Sequence, residues 1–432
     1  EKAIAWVGAH LKLELAEGQK EAVRQACRHK LLVITGGPGV GKTTLVRSIL
    51  EIFSGKGLDC VLAAPTGRAA KRLAETTGRT AKTVHRLLEF SPETGTFNRN
   101  EDEPLKGDLF VLDETSMVDV ALGDHFFRAV PPEACVVLVG DVDQLPSVGP
   151  GTVLADIIGS KVVPVVRLTE IFRQAAGSRI VAAAHAINRG QVPEIDAPEG
   201  LTDFYFIESD EPEAIQDLIV RLVRERVPAR FRFDPMRDIQ VLSPMNRTAL
   251  GSRNLNEILQ AALNPPGGKT ELERFGWTFR VGDRVIQTEN DYDRDVFNGD
   301  LGTITKIDKE EQQMIVSIDG RPVTYDFTDL DALSLAYVLS IHKSQGSEYP
   351  CVIVPLHTQH FVMLQRNLLY TAVTRGKKLV VLVGTRKAFG LAVRRQDTSR
   401  RYTALRRRLT APQNQEPNQR RRRSDRRADR TE

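Results

Sequence analysis

Gly36-Gly37-Pro38-Gly39-Val40-Gly41-Lys42-Thr43 fits the phosphate-loop pattern G-x-x-x-x-G-K-[ST] at every position, and it follows the apolar run Leu31-Leu32-Val33-Ile34. A buried strand that runs into a glycine-rich turn, with a helix expected over residues 44–53, is the context that gives the pattern meaning. Glycines let the backbone close round a polyphosphate, so that amides and the helix N-terminus point at the β-phosphate. Lys42 then reaches the β/γ oxygens and Thr43 offers a hydroxyl to Mg²⁺. The implied ligand is a nucleotide, with Gly37, Pro38, Gly39, Val40, Gly41, Lys42, Thr43 and Thr44 as its candidate contacts.

Outward from this loop, apolar β-branched runs at 31–35, 60–64, 109–112 and 136–139 alternate with helical patterns, which is βαβ periodicity and hence a parallel sheet. Runs at 239–243, 337–341, 352–355 and 379–384 repeat it, so a second sheet domain is implied. Residues 281–323 differ: short alternating strands at 283–288, 302–307 and 313–318, with Asn298-Gly299 and Asp319-Gly320 turns, predict a small antiparallel barrel. A polar insert at 91–105, with Phe90 and Phe97 flanking Glu93-Thr94-Gly95, suits a protruding β-hairpin.

The run Leu109-Phe110-Val111-Leu112 ends in Asp113-Glu114. An acid pair at the end of a strand, seventy residues after a phosphate loop, supplies the rest of an ATPase: Asp113 to hold the Mg²⁺ shell, Glu114 to polarise the attacking water as general base. The next strand ends in Gly140-Asp141-Val142-Asp143-Gln144-Leu145-Pro146, where Gln144 is placed to sense the γ-phosphate. Phosphoryl transfer also needs cations, and the planar fork of Arg binds oxyanions bidentately. Arg173, in Leu168-Thr169-Glu170-Ile171-Phe172-Arg173, and Arg375, in Tyr370-Thr371-Ala372-Val373-Thr374-Arg375, are the candidates. If both reach one nucleotide, it sits between the two sheet domains, and hydrolysis opens and closes the cleft.

Composition bounds the rest. At 432 residues, 41% apolar and 27% charged, the chain has room for about three domains, and no apolar run approaches the ~20 residues of a membrane span. A cytoplasmic protein without membrane contact is expected. Cys27, Cys60, Cys135 and Cys351 form no C-x-x-C pair, which speaks against a zinc site or disulfide framework and for four buried thiols. Glu1 in place of Met suggests that the native chain starts elsewhere. Residues 420–432 hold seven Arg against two Asp and one Glu, which accounts for the whole net charge of +4. Bulk charge therefore says nothing about the body's partner. The Arg-rich tail, 411–432, is expected to be disordered.

The series Gly36 to Thr44, Ala64-Pro65-Thr66-Gly67-Arg68-Ala69-Ala70, Thr83-Val84-His85-Arg86, Asp113-Glu114, Gly140 to Pro146, Ile341-His342-Lys343-Ser344-Gln345-Gly346-Ser347-Glu348 and Tyr370 to Arg375 resembles superfamily 1 helicases, closest to the RecD-like branch. The resemblance covers roughly residues 12–409 in order and spacing. It implies an α/β fold of two RecA-like P-loop motor domains, 1–195 and 196–275 with 333–410. The hairpin at 90–106 would be a strand-separating pin and 276–332 a Src-homology-3-like barrel. Carried over residue by residue, it makes Gln19 the adenine contact, Lys42, Glu114, Gln144, Arg173 and Arg375 the catalytic set, Thr43 and Asp113 the metal holders, and Glu348 a nucleotide contact from the second domain. Thr66, His85 and His342 fall in motifs that line the single strand in this family, with a packed structural role as the alternative for the two histidines. Long RecD-like proteins also carry an N-terminal region with helix-hairpin-helix modules, of which this sequence shows none. The implied activity is an ATP- and Mg²⁺-dependent DNA helicase moving 5′ to 3′ on single-stranded and forked DNA in repair or recombination. It would be a monomeric motor, with a protein partner left open. An RNA-directed relative, the helicase half of a conjugative relaxase and a nucleotide switch that does not translocate are the alternatives.

Overall fold

β1 (Leu31–Gly36) lies between two parallel neighbours, and Leu32, Val33 and Ile34 are fully buried, which is why the strand reads as a continuous apolar run without alternation. The structure, a computed structural model, describes residues 1–91, 93–170, 177–195, 200–396, 401 and 403–411. The first sheet also contains β2 (Cys60–Ala64), β3 (Ala81–Thr83), β6 (Leu109–Leu112), β7 (Cys135–Gly140) and β8 (Val165–Leu168), while β4 (Phe90–Ser91) and β5 (Thr96–Phe97) form a separate hairpin. Its strand order is β3-β2-β6-β7-β1-β8, all parallel. The phosphate loop, the acid pair and the Gln144 loop thus leave the carboxyl ends of the three adjacent strands β1, β6 and β7, the edge where open α/β sheets bind ligands.

The second sheet, in the order β18-β10-β19-β20-β9, is also parallel. Its strands are β9 (Phe204–Glu208), β10 (Ile239–Ser243), β18 (Val338–Ser340), β19 (Tyr349–Leu356) and β20 (Gly376–Gly384), with a hairpin, β11 (Glu271–Arg274) and β12 (Trp277–Arg280), and an antiparallel sheet inserted after β10. That sheet comprises β13 (Arg284–Gln287), β14 (Leu301–Asp308), β15 (Gln313–Ile318), β16 (Arg321–Asp326) and β17 (Leu333–Leu335), in the order β16-β15-β14-β13-β17. The fold is two RecA-like domains with a Src-homology-3-like insert. Asp283, fully buried, anchors the insert by accepting from Gln260 Nε2 (2.6 Å), Asn264 Nδ2 (2.6 Å), Tyr337 Oη (2.8 Å) and Arg280 N (2.7 Å). A buried charge is tolerable only with such full satisfaction.

Three expectations change. The boundaries at 276 and 332 cut through pairings, because β11 pairs with β12 across the first and β17 pairs with β13 beyond the second. The end of the stretch 333–410 leaves the second sheet: the helix Leu405–Thr410 packs on the helix Val153–Ser160 of the first domain, with Leu405 and Leu409 half-buried against its core. Of the four thiols only Cys351 is buried, its pKa pushed up to about 12 by burial; Cys27, just past a helix end, is exposed. The tail from 412 onward lies outside the described residues.

Candidate active site between the two sheet domains

The loop after β1 turns through Gly39 and Gly41, both with left-handed backbone (φ 74° and 73°), and delivers the helix Lys42–Ser54. Only glycine takes that conformation without strain. Gly37 has a second reason to lack a side chain: a Cβ there would stand 3.0 Å from Tyr370 Oη of the second domain and 3.3 Å from the His185 ring. Pro38 and Val40 complete the turn, Val40 buried against Gly36. Thr43 and Thr44 lie in the helix's first turn. Lys42 Nζ donates to the carbonyls of Gly36 (2.6 Å) and Gly37 (2.8 Å), which keeps the ammonium inside the loop. Gln19, almost fully buried, accepts from Ala16 N (3.0 Å) and donates to Gly41 O (3.1 Å), tying the helix Glu17–Ala26 to the loop.

Phosphate loop, acid pair, Gln144, Glu348 and Arg375 line one cleft of about 290 Å³. Asp113 Oδ1 accepts from the Glu114 amide at 2.9 Å, and Glu114 itself has left-handed backbone (φ 50°), a strained turn for a glutamate. Burial, then the Glu114 charge, push the Asp113 carboxyl above its ordinary range. Burial opposes the Glu114 charge too, but Arg72, with Arg375 and Lys42 behind it, outweighs burial and holds that carboxyl below the usual range.

Across the cleft, Gln144 bridges the domains: its Nε2 donates to Asp141 Oδ2 (3.1 Å) and its Oε1 accepts from Arg375 Nη2 (3.1 Å). Arg375, 2% exposed, also donates to Ser347 O at 3.0 Å. Tyr370 Oη donates to Asp141 Oδ2 at 2.8 Å, Leu145 N to Thr371 Oγ1 at 2.9 Å, and Gln345 Nε2 to Leu145 O at 2.8 Å. Asp141 is pushed up by burial against the pull of Lys42 and the Tyr370 hydroxyl.

Arg173 falls outside the described residues. Glu348 pairs with Arg72 (2.8 Å) and Lys377 (3.2 Å). Three further residues were named as strand contacts. Thr66 caps the helix Gly67–Thr77, its Oγ1 accepting from Ala69 N at 3.3 Å. His85 packs against Phe90 and Phe97, with ring centroids 5.8 and 5.7 Å away, so it supports the hairpin from below. His342 opens a short turn after β18, and burial lowers its pKa.

Sequence reasoning missed Arg72, which donates to Glu114 at 2.7 Å as well as to Glu348, and Tyr370 and Asp141 as a cross-domain pair. Tyr370 and Asp141 stood inside quoted motifs and could have been found; Arg72 lies on a helix where a basic residue reads as a solvated face.

Such a cleft, between the carboxyl edge of one RecA-like sheet and an arginine from another, is the arrangement of a two-domain P-loop nucleotide-binding protein. Three family descriptions match the chain: AAA domain over residues 19–150, ATP-dependent RecD-like DNA helicase SH3 domain over 255–318, and UvrD-like helicase C-terminal domain over 335–383. It is similar to the ATP-dependent RecD2 DNA helicase of Deinococcus radiodurans, 40% identical over 92% of this chain and 53% of that protein. It is also similar to the RecBCD enzyme subunit RecD of Mycolicibacterium smegmatis, 33% identical over 91% of this chain and 75% of that protein. A crystal structure of Bacteroides Pif1 bound to single-stranded DNA shares the fold, with a TM-score of 0.52 and 20% identity over 86% of this chain and 92% of that one. The chain belongs to the RecD-like helicases, and it spans about half the length of the Deinococcus relative.

Proposed function

We propose that this chain is the motor of an ATP-driven DNA helicase that moves 5′ to 3′ along a single strand and splits the duplex. The observation that carries it is the meeting, in one cleft, of the phosphate loop and acid pair of one sheet with Arg375 of the other, joined through Gln144. A contact that spans two domains at the γ-phosphate position converts hydrolysis into relative motion, which a simple nucleotide switch does not need. The division into two motor domains and a barrel, with the adjusted boundaries above, is part of the same reading.

The loop fits a polyphosphate: Gly39 and Gly41, both at positive φ, turn the backbone round it, and Lys42 Nζ already sits among the loop carbonyls. Phosphate oxygens would replace the Gly36 and Gly37 carbonyls as partners of Lys42, while Gln19 stands beside the loop as the adenine contact. Thr43 and Asp113 are hard oxygen donors, and Mg²⁺ is commonly held by one or two such groups plus substrate phosphates. When bound, Mg²⁺ neutralises charge on the β- and γ-oxygens. Glu114 orients water and takes its proton; Gln144, Arg375 and Glu348 line the γ-phosphate side of the cleft, and the resemblance adds Arg173, which lies outside the described residues.

The DNA strand would cross Thr66 and His342 near the domain boundary, and the hairpin braced by His85 would meet the fork. The names of the similar proteins, and the strand bound to Pif1, support DNA as the polymer; the 5′ to 3′ direction rests on the RecD resemblance. Among the described residues no helix is long and apolar enough to cross a membrane. A monomeric cytoplasmic motor completes the reading. ATP-dependent unwinding of duplexes with 5′ or 3′ single-stranded tails tests it: only the 5′-tailed substrate should open. Opening of the 3′-tailed substrate alone would reverse the polarity, and opening of neither would refute the helicase.

A further inference from the structure

The helix Gly67–Thr77 carries two arginines four positions apart, hence on one face, and both reach the second motor domain. Arg68 donates to Ser347 Oγ at 3.0 Å and Tyr349 Oη at 3.1 Å. Arg72, one turn on, donates to Glu114 Oε1 at 2.7 Å and Glu348 Oε1 at 2.8 Å. The start of this helix meets the second domain and its barrel closely at two points. A Cβ on Gly67 would lie 2.5 Å from Phe297 Cβ of the barrel, and one on Gly346 would lie 3.0 Å from Thr66 Oγ1. A displacement at that end is therefore carried by one stiff turn to Arg72, since close-packed elements shift as units.

At the other end of this lever, Glu114 is 6% exposed and a guanidinium sits on its carboxylate oxygen. A carboxylate so engaged is well oriented but has an oxygen and its charge committed, which is where a water proton must go. Glu348 offers the same guanidinium a second carboxylate from across the cleft. One cation between two carboxylates on opposite domains is an element with two arrangements, biased by where its helix stands.

The geometry points to Arg72 as a positioning residue that holds Glu114 back from proton transfer until a strand seated on the N-terminal end of helix 67–77 draws it toward Glu348. Hydrolysis then waits for DNA. This rests on the proposed roles of Glu114 as general base and of the Thr66 region as a strand contact.

The test is steady-state ATP turnover with and without an oligothymidylate, in the full chain. Arg72→Ala should raise the DNA-free kcat, leave KM for ATP in place, and lower the DNA-stimulation ratio by on the order of tenfold. Arg72→Lys keeps a charge but cannot fork to two carboxylates, so its ratio should fall between. If Arg72→Ala does not fold, the lysine variant decides alone: a ratio equal to the native one overturns the proposal. So does a proportional fall of both rates, the mark of a merely structural arginine. Glu114→Gln combined with Arg72→Ala should be inactive with or without DNA. Turnover in that double variant would sink the general-base reading and the proposal with it, whereas an inactive double variant with an unchanged Arg72→Ala ratio would sink the proposal alone.

Discussion

Of the three cations that act on Glu114, Arg72, Arg375 and Lys42, the first and last are held in different ways. Lys42 is held by loop carbonyls and, in the proposed reading, serves the phosphates, while Arg72 is held by Glu114 and Glu348 and, in that reading, serves the acids. Replacing Lys42 by Ala should cut kcat for ATP by at least about 10²-fold, the usual cost of removing one preorganised charge contact. Its hydrogen bonds go to two loop carbonyls and to no side chain, so the melting temperature should move little; undiminished turnover would refute the assignment. Lys42 was legible because its chemistry is tied to glycines at fixed spacing. Arg72 was not, because nothing local to Lys71-Arg72-Leu73 says that its partners lie 42 and 276 residues away. A second titration signal belongs to His360, fully buried, whose pKa is pushed down to about 4 by burial and then by the neighbouring His357. Its folded value lies below the unfolded 6.5, so its stabilising contribution is complete above pH 6.5 and is lost as pH falls toward about 4. The loss should approach about 3 kcal/mol. Thermal melts from pH 7 to 4 should show a steeper decline in the native chain than in His360→Gln; parallel curves would contradict it.

At the scale of elements, both sheets were legible in their centres and, of their four rims, only at β18, read as the run 337–341. β1, β6 and β7, and β10, β19 and β20, have partners on both sides and are mostly apolar, Gln240 in β10 and the exposed Lys377-Lys378 at the start of β20 aside. The missed strands β3, β8 and β9 are all edges. β3 is Ala-Lys-Thr and β8 carries the exposed Arg167, because an edge strand needs burial on fewer sides and can bear charge. The hairpin insert was legible by its polarity, but not the way it is seated. Its two strands are only two residues each, and Phe97 packs on Phe90, His85 and His125, with ring centroids 5.1, 5.7 and 4.6 Å away. Deleting residues 92–103 should therefore abolish unwinding of a 5′-tailed duplex while DNA-stimulated ATP turnover persists. The loss of Phe97 from this cluster should cost about 1 kcal/mol in stability. Normal unwinding by the deletion variant would rule out a pin.

On the scale of the whole molecule, the chain closes on itself. After β20 and the helix Arg386–Arg394 of the second domain, Arg401 returns to the first, its Nη1 donating to Ser147 O (2.6 Å), Gly149 O (2.9 Å) and Gly151 O (3.2 Å). The helix Leu405–Thr410 then docks on Val153–Ser160. These carbonyls belong to the loop that begins with Gln144 and Leu145, the residues that touch Arg375, Thr371 and Gln345. The second domain thus grips the same loop twice, once at the cleft and once through its returning end. If the cleft opens and closes, the outer grip fixes the pivot and the inner contacts make and break. Arg401→Ala removes one charged donor from three carbonyls, and hydrogen bonds of that kind contribute about 1.5–3 kcal/mol. The expected result is a lower melting temperature together with faster backbone hydrogen exchange confined to residues 147–151 and 405–410, while exchange in the phosphate loop stays unchanged. Exchange that rises evenly across both sheets would mean that Arg401 supports general stability and not the hinge, and unchanged exchange at 147–151 would mean that the outer grip does not hold the loop at all.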